Sequence, residues 1–231
     1  MVRGVIYDLD GTLVDSRGDL ADSVNAMLAR MGLPVRPDEV IHGFIGEGAE
    51  RLIRRSLGPN EGRYLEAAPI WREEYAKRLL ARTRLYDGIE QVLQAPPEAR
   101  AVLTNKPGAF ARQILQGLGV ERAFLAVRGG DEGPRKPAPD GLLELCQKLE
   151  VRPKDALLVG DSAVDLATGK AAGVRVCAVR WGLGDAAALS SADYTCATPR
   201  ELCALLARLV NAGSAGGSHG PDPVGAARRG T

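Results

Sequence analysis

The sequence predicts an α/β fold: a Rossmann-like parallel sheet with helices on both faces, interrupted by an inserted α-helical block. Three observations lead there. An apolar run, Val2 to Leu9, opens the chain and ends in acids, as a buried strand does. From about residue 100, short apolar runs alternate with amphipathic stretches, the rhythm of parallel strands joined by helices. Between the two lies a long segment with helical periodicity alone.

Within that segment, Ser16 is placed to cap a helix, with Asp19 three positions later as an imperfect capping box. Leu20, Val24, Met27, Leu28 and Met31 then recur at helical spacing, and Gly32 with Pro34 stops the run. Glu50 to Leu57 and Trp71 to Leu80 read as two more amphipathic helices, with Pro69 as a break before the second. Strands are expected at Ala101–Thr104, Phe124–Val127, Ala156–Val159 and Val174–Val179. Helices are expected around Phe110–Leu118, Leu142–Leu149, Ala163–Ala172 and Leu202–Leu209. The implied division is an α/β core of 1–15 and 85–211, a helical insert of 16–84, and a Gly/Ser/Pro-rich tail of 212–231 expected to be disordered.

Composition removes several functional classes. The 231 residues carry 30 Lys+Arg against 29 Asp+Glu, with no basic run, so no nucleic-acid partner is expected. No apolar stretch approaches the ~18 residues of a membrane span, and Asp8 comes too early for a signal peptide. Four cysteines without a C-x-x-C pair read as free thiols in a reducing compartment, hence a cytoplasmic location. The two histidines, His42 and His219, leave little room for histidine-based catalysis, and His219 falls in the tail.

The chemistry concentrates where strands end. The first strand runs into Asp8-Leu9-Asp10-Gly11-Thr12, a second into Thr104-Asn105-Lys106-Pro107, and a third into Gly160-Asp161-Ser162 with Asp165 opening the next helix. Lys136 precedes Pro137 in a proline-rich loop. In a doubly wound sheet these ends share one edge, where ligands bind. Carboxylates gathered from Asp8, Asp161 and Asp165 would repel by ~4 kcal/mol per pair at 4 Å and so call for a cation. An all-oxygen set of this kind suits Mg²⁺. A cation, a lysine, a Thr-Asn pair and a turn at Gly11 together describe a phosphate site.

D-x-D-G-T at Asp8 to Thr12, Thr104, Lys136 and G-D-x-x-x-D at Gly160 to Asp165 resemble, in order, the four motifs of the haloacid dehalogenase-like superfamily. The resemblance covers nearly all of residues 4–210. It implies that Asp8 attacks phosphorus and becomes an aspartyl phosphate, while Asp10 protonates the leaving oxygen and then activates water. It also implies that Gly11, Thr12, Thr104 and Asn105 hold the phosphate side, and that Lys136 neutralises charge and orients Asp8. Mg²⁺ would be held by Asp8, the Asp10 backbone carbonyl and Asp161, with Asp165 supporting directly or through water. The helical insert would be the family's mobile cap.

An acid at position 10 points to phosphoester chemistry, since a halide leaving group needs no proton. Ile45–Leu52, Leu103–Pro107 and Gly129-Gly130-Asp131 before Arg135-Lys136-Pro137 resemble, more narrowly, the phosphoglycolate phosphatase subfamily. The expected enzyme is thus a phosphomonoester hydrolase, monomeric or homodimeric, acting on a small phosphorylated metabolite. A β-phosphoglucomutase-like mutase, a pyrophosphatase and a sugar phosphatase are the alternatives. A carboxylate-bearing substrate would need a cation near the 45–52 loop, and Arg51 is the first candidate.

Overall fold

A computed structural model of the chain describes residues 1–184 and 189–211. In chain order its elements are β1 (Gly4–Tyr7), β2 (Val14–Asp15), α1 (Arg17–Arg30), α2 (Asp38–His42), α3 (Ala49–Leu57), α4 (Tyr64–Arg78), β3 (Arg84–Leu85), α5 (Ile89–Gln94) and β4 (Arg100–Leu103). There follow α6 (Gly108–Gly117), β5 (Ala126–Arg128), α7 (Asp140–Lys148), β6 (Ala156–Gly160), α8 (Ala163–Ala172), β7 (Arg175–Val179), β8 (Tyr194–Cys196) and α9 (Pro199–Asn211). The expected tail of 212–231 lies outside the described residues.

Among the described residues, six strands form one parallel sheet in the order β5-β4-β1-β6-β7-β8. β1 lies at its centre, with Ile6 beside Ala101 on one side and Leu158 on the other. Pleating sends alternate residues to opposite faces. Val5, Tyr7, Val102 and Val159 pack with the apolar sides of α5, α6 and α9, while Ile6, Ala101, Leu103 and Leu158 pack with α7 and α8. Both faces being covered, β1 is apolar without alternation, as is β4 after Arg100, which is why they read as continuous runs. Chain order reverses beside β1, so the carboxyl ends of β1, β4 and β6 meet at one switch point.

The helical block enters through β2 and leaves through β3, two residues each, paired antiparallel with Val14 opposite Leu85 and Asp15 opposite Arg84. Inside it α1 packs along α4 through Leu20, Val24, Met27, Ala67, Trp71 and Tyr75. Trp71 stacks on Tyr75 at 5.1 Å, and both rings meet Phe110 of α6 edge-on. That aromatic triad joins the block's core to the sheet's helical layer.

Three expectations change, and one strand is unexpected. Pro69 is not a break: it lies inside α4, and the backbone bond it cannot donate would have gone to Leu65, at the solvent-exposed first turn. Ser16 stands at the N-cap of α1 without capping it, because its hydroxyl donates to Asp10 Oδ1 at 2.5 Å. Asp19 is no capping-box acid either. It is fully buried and accepts from the Arg82 and Thr83 backbone amides and the Thr83 hydroxyl, at 2.7–3.0 Å. Its position next to the other end of the insert is a tertiary fact that local spacing does not carry. Finally, β8, a three-residue edge strand beside β7, has no apolar run to announce it.

Candidate active site

The loops after β1, β4, β5 and β6 build the site. Asp8 follows β1 directly. Its Oδ1 accepts from the Leu9 amide at 2.7 Å and from Lys136 Nζ at 2.9 Å, while its Oδ2 has no hydrogen-bond partner among the described residues. The chain then turns through Gly11 at φ +83°, where a Cβ would stand 2.2 Å from Asp161 Oδ2. Thr12 donates its hydroxyl to Asp161 Oδ1 at 3.3 Å, and the Trp181 indole pins the Thr12 carbonyl at 3.1 Å.

After β6, Asp161 accepts from the Leu183 amide at 2.7 Å. Ser162 and Asp165 form a capping box at the start of α8. Asp165 Oδ2 takes the Ser162 amide and hydroxyl, and its Oδ1 takes Lys136 Nζ at 2.7 Å. Asp165 thus has both oxygens engaged, in a fully buried position.

After β4, the Thr104 hydroxyl accepts from the Lys106 amide, which leaves its own proton to donate. Asn105 Nδ2 reaches Lys136 O at 3.1 Å and Gly46 O at 3.2 Å, tying the β4 loop to the helical block; its buried Oδ1 has no partner among the described residues. Lys106 is buried as well. Its ammonium pairs with Asp10 Oδ1 at 3.0 Å, donates to the Tyr75 hydroxyl at 2.6 Å and lies 4.7 Å from that ring's centroid. The glycine loop after β5 braces this segment: Gly130 N bonds Lys106 O, and Asp131 accepts from the Gly108 amide at the head of α6.

Electrostatics follow from crowding. Burial pushes the Asp8 carboxyl up to about 8, Lys136 pulling against it and Asp165 and Asp161 adding to it. Burial and then Asp165 lift Asp161 to about 6. For Lys136, burial opposes the charge, but Asp165 and Asp8 outweigh it and the net shift is upward. With all four carboxyls ionised (Asp8, Asp10, Asp161, Asp165), two ammoniums (Lys106, Lys136) would leave two negative charges uncompensated, the crowding that lifts Asp8 and Asp161.

Carboxylate oxygens of Asp8, Asp161 and Asp165 lie within 4.8 Å of one another. A hard divalent cation fits both that charge and that all-oxygen donor set. Asp8, whose Oδ2 is unpartnered among the described residues, Asp161 and Asp165 are the acids that could hold it, and Asp165 also holds Lys136.

Over Asp8 and Asp10 lies a small cavity of about 30 Å³, lined also by Thr104, Asn105 and Lys106 from the sheet side and by Leu20, Ile45, Gly46, Gly48, Ala49, Leu52 and Trp71 from the helical side. Of the sequence candidates, Asp8, Asp10, Thr104 and Asn105 face this cavity. Lys136, Asp161 and Asp165 stand behind Asp8, and Gly11 with Thr12 supports Asp161 and presents no side chain to the cavity.

Arg51 is the candidate that the structure does not bring in. It lies on the outer side of α3, 61% exposed and paired with Glu47, in a second, charged cleft with Glu50, Arg54 and Arg135 that borders Lys136 but not the cavity over Asp8 and Asp10. An α3 whose apolar side faces inward must turn residue 51 outward while burying Leu52 and Ile53. The residue that spacing overlooked is Lys106. A signal existed: a lysine just before a helix N-terminus opposes the helix dipole and needs a partner to justify it.

Comparison with known proteins agrees with this geometry. Residues 5–179 match the family of haloacid dehalogenase-like hydrolases. A phosphoglycolate phosphatase of Nitrosospira multiformis is 37% identical over 194 residues, covering 80% of this chain and 86% of the relative. An N-acetylmuramic acid 6-phosphate phosphatase of Pseudomonas putida is 34% identical over 187 residues, covering 78% and 84%. The crystal structure of a predicted phosphoglycolate phosphatase from Haemophilus somnus superposes with a TM-score of 0.82 at 28% identity, covering 88% of this chain and 97% of that one. With its motif acids, its sheet order and its inserted helices alike, the chain belongs to the haloacid dehalogenase-like hydrolase family.

Proposed function

We propose that this protein is a Mg²⁺-dependent phosphomonoesterase working through an aspartyl phosphate, with 2-phosphoglycolate as its substrate. The observation that carries the reading is Asp8: a buried carboxylate held by Lys136 through one oxygen, with the other unpartnered beside a cavity. Asp8 Oδ2 attacks phosphorus in line, and the P–O bond to the alcohol breaks. Asp10, two residues on, protonates the leaving oxygen and then takes a proton from the water that opens the acyl phosphate. The Thr104 hydroxyl and the Asn105 segment position the phosphoryl oxygens, and Lys136 keeps Asp8 oriented and offsets charge. A Mg²⁺ held by Asp8 and Asp161 would supply charge neutralisation at the transferring phosphoryl group.

The narrower reading rests on relatives named phosphoglycolate phosphatase at 36–37% identity. Relatives named for phosphoglycolate and for a larger sugar phosphate both exist at similar identity, so the test must compare the two. The reading carries with it a cytoplasmic location, four free thiols being present, and a monomer or homodimer without nucleic-acid or membrane partners. No helix among the described residues is long and apolar enough to cross a membrane.

The experiment is phosphate release with Mg²⁺ from 2-phosphoglycolate, N-acetylmuramic acid 6-phosphate, hexose phosphates and pyrophosphate. A kcat/KM that peaks at phosphoglycolate and vanishes in Asp8→Asn is the expected result. A peak at another ester replaces the substrate, and full turnover by Asp8→Asn overturns the mechanism.

A further inference from the structure

Among the described residues that line the cavity over Asp8 and Asp10, Lys106 is the only cationic side chain. The other buried ammonium of the site, Lys136, is spent on Asp8 and Asp165 behind it. Where Lys136 faces two carboxylates, Lys106 faces one carboxylate and a neutral hydroxyl. Its ammonium has three protons to donate and two partners among the described residues, Asp10 Oδ1 at 3.0 Å and the Tyr75 hydroxyl at 2.6 Å. An ammonium so buried, with a donor proton left over at a cavity wall, is arranged for an anion.

Where that anion would sit is set by Asp10. In the reaction proposed above, the leaving oxygen lies at hydrogen-bond distance, ~2.8 Å, from the Asp10 carboxyl. Lys106 Nζ is one such distance from the same carboxyl. A carboxylate on the carbon that bears the leaving oxygen therefore closes a three-cornered contact: phosphoester oxygen to Asp10, Asp10 to Lys106, Lys106 to carboxylate. A neutral substituent there would offer the ammonium a hydrogen-bond acceptor but no opposite charge.

Tyr75 sets the geometry from the helical side. Its ring is clamped between Trp71 and Phe110, and its hydroxyl holds the lysine in place.

We propose that Lys106 is the residue that recognises the substrate's carboxylate, so that the enzyme selects 2-phosphoryloxy carboxylates over neutral phosphoesters of the same size. The proposal rests on the phosphoglycolate reading and assigns its specificity to a residue of the α/β core, where the sequence points to Arg51 on the helical block.

The test compares kcat/KM for 2-phosphoglycolate and for its neutral amide, 2-phosphoglycolamide, in the wild type, Lys106→Met, Lys106→Gln and Arg51→Met. Both esters use Asp8 and Asp10 alike, so damage to those residues cancels in the ratio. The wild type is expected to prefer the acid by ~100-fold or more, as a site built around a charged partner does. Lys106→Met should bring that ratio close to one, and Arg51→Met should leave it in place. Lys106→Gln supplies the same reading should the methionine variant fail to fold.

A wild-type preference that survives both Lys106 variants overturns the assignment alone, as would a ratio that collapses in Arg51→Met and not in the Lys106 variants. Equal wild-type rates on acid and amide overturn the phosphoglycolate reading and the assignment with it.

Discussion

The two walls of the cavity are held in place by different physics. On the sheet side, Asp8, Thr104 and Asp161 stand at the ends of central parallel strands, and their positions are fixed by backbone ladders with apolar packing on both faces. On the helical side, Leu52, Trp71 and Tyr75 come from helices and Ile45 from the turn between α2 and α3, and these rely on one another and on side-chain ties: Asn105 to Gly46, Lys106 to Tyr75, and Asp19 to Arg82 and Thr83. One wall is placed by its main chain and the other by its side chains. Substitutions should therefore fail differently on the two. A change on the sheet side removes a chemical group from a fixed frame, and a change on the helical side moves the frame.

The largest expected effect isolates the sheet side. Asp8→Asn keeps the shape and loses the nucleophile, so phosphate release should fall by ~10⁴-fold or more, with a thermal midpoint at or above that of the wild type because a crowded charge is gone. A midpoint several degrees lower would mean that the acid also organises the strand end.

Next comes Lys136→Met. It strands the fully buried Asp165 without its cation, which should cost ~3–5 kcal/mol in denaturant unfolding as well as activity. Of comparable size on the helical side is Trp71→Ala, which opens a hole between α4 and α6. A loss of ~3–5 kcal/mol is expected, with KM for the substrate rising more than kcat falls. The reverse split would deny that this wall serves mainly to enclose the substrate.

The smallest effect concerns an ion-pair network between α1 and α4. The buried Glu74 binds Lys77, Arg78 and Arg30 at 2.5–2.9 Å, and these pull its carboxyl from an ordinary 4.5 down to about 2. A depressed value means that the folded state favours the ionised form. The network's contribution is therefore complete above pH 4.5 and is lost as pH falls towards 2. Glu74→Gln should cost about 1 kcal/mol at pH 7, its partners being partly exposed, and the gap from the wild type should close only as pH falls to about 2. A gap that stays constant across that range would show that the residue acts by packing instead.

The same contrast explains how much can be read from the residues alone. Strand ends are legible because a parallel strand buried on both faces is a short apolar run, and the residues just past its carboxyl end reach the site by topology. Asp8, Asp10, Thr104, Asp161 and Asp165 gather on one edge in that way. Lys136 is legible through its motif, and the fold buries it between two of those acids.

The helical side is legible only as helices. Period 3.6 identifies an inward face but does not say what that face meets, so nearness in sequence to the 45–52 loop favours Arg51, and the fold turns it to solvent. Spacing gives Ser16 and Asp19 local roles as caps, while their hydroxyl and carboxyl are used by Asp10, Arg82 and Thr83, partners that cap spacing does not address. Pro69 reads as a terminator because a proline's missing donor is visible in the sequence and the exposed carbonyl that tolerates it is not.

The paired two-residue strands β2 and β3 carry a consequence for the molecule's history. Because the chain leaves the α/β layer at Val14 and returns opposite it at Leu85, the helices between occupy a loop whose two ends already touch. Lengthening, shortening or replacing such a loop disturbs no strand order and re-threads nothing. The chemistry at the strand ends and the shape laid over it are therefore free to change at different rates, and a graft made at that ribbon would exchange one without touching the other.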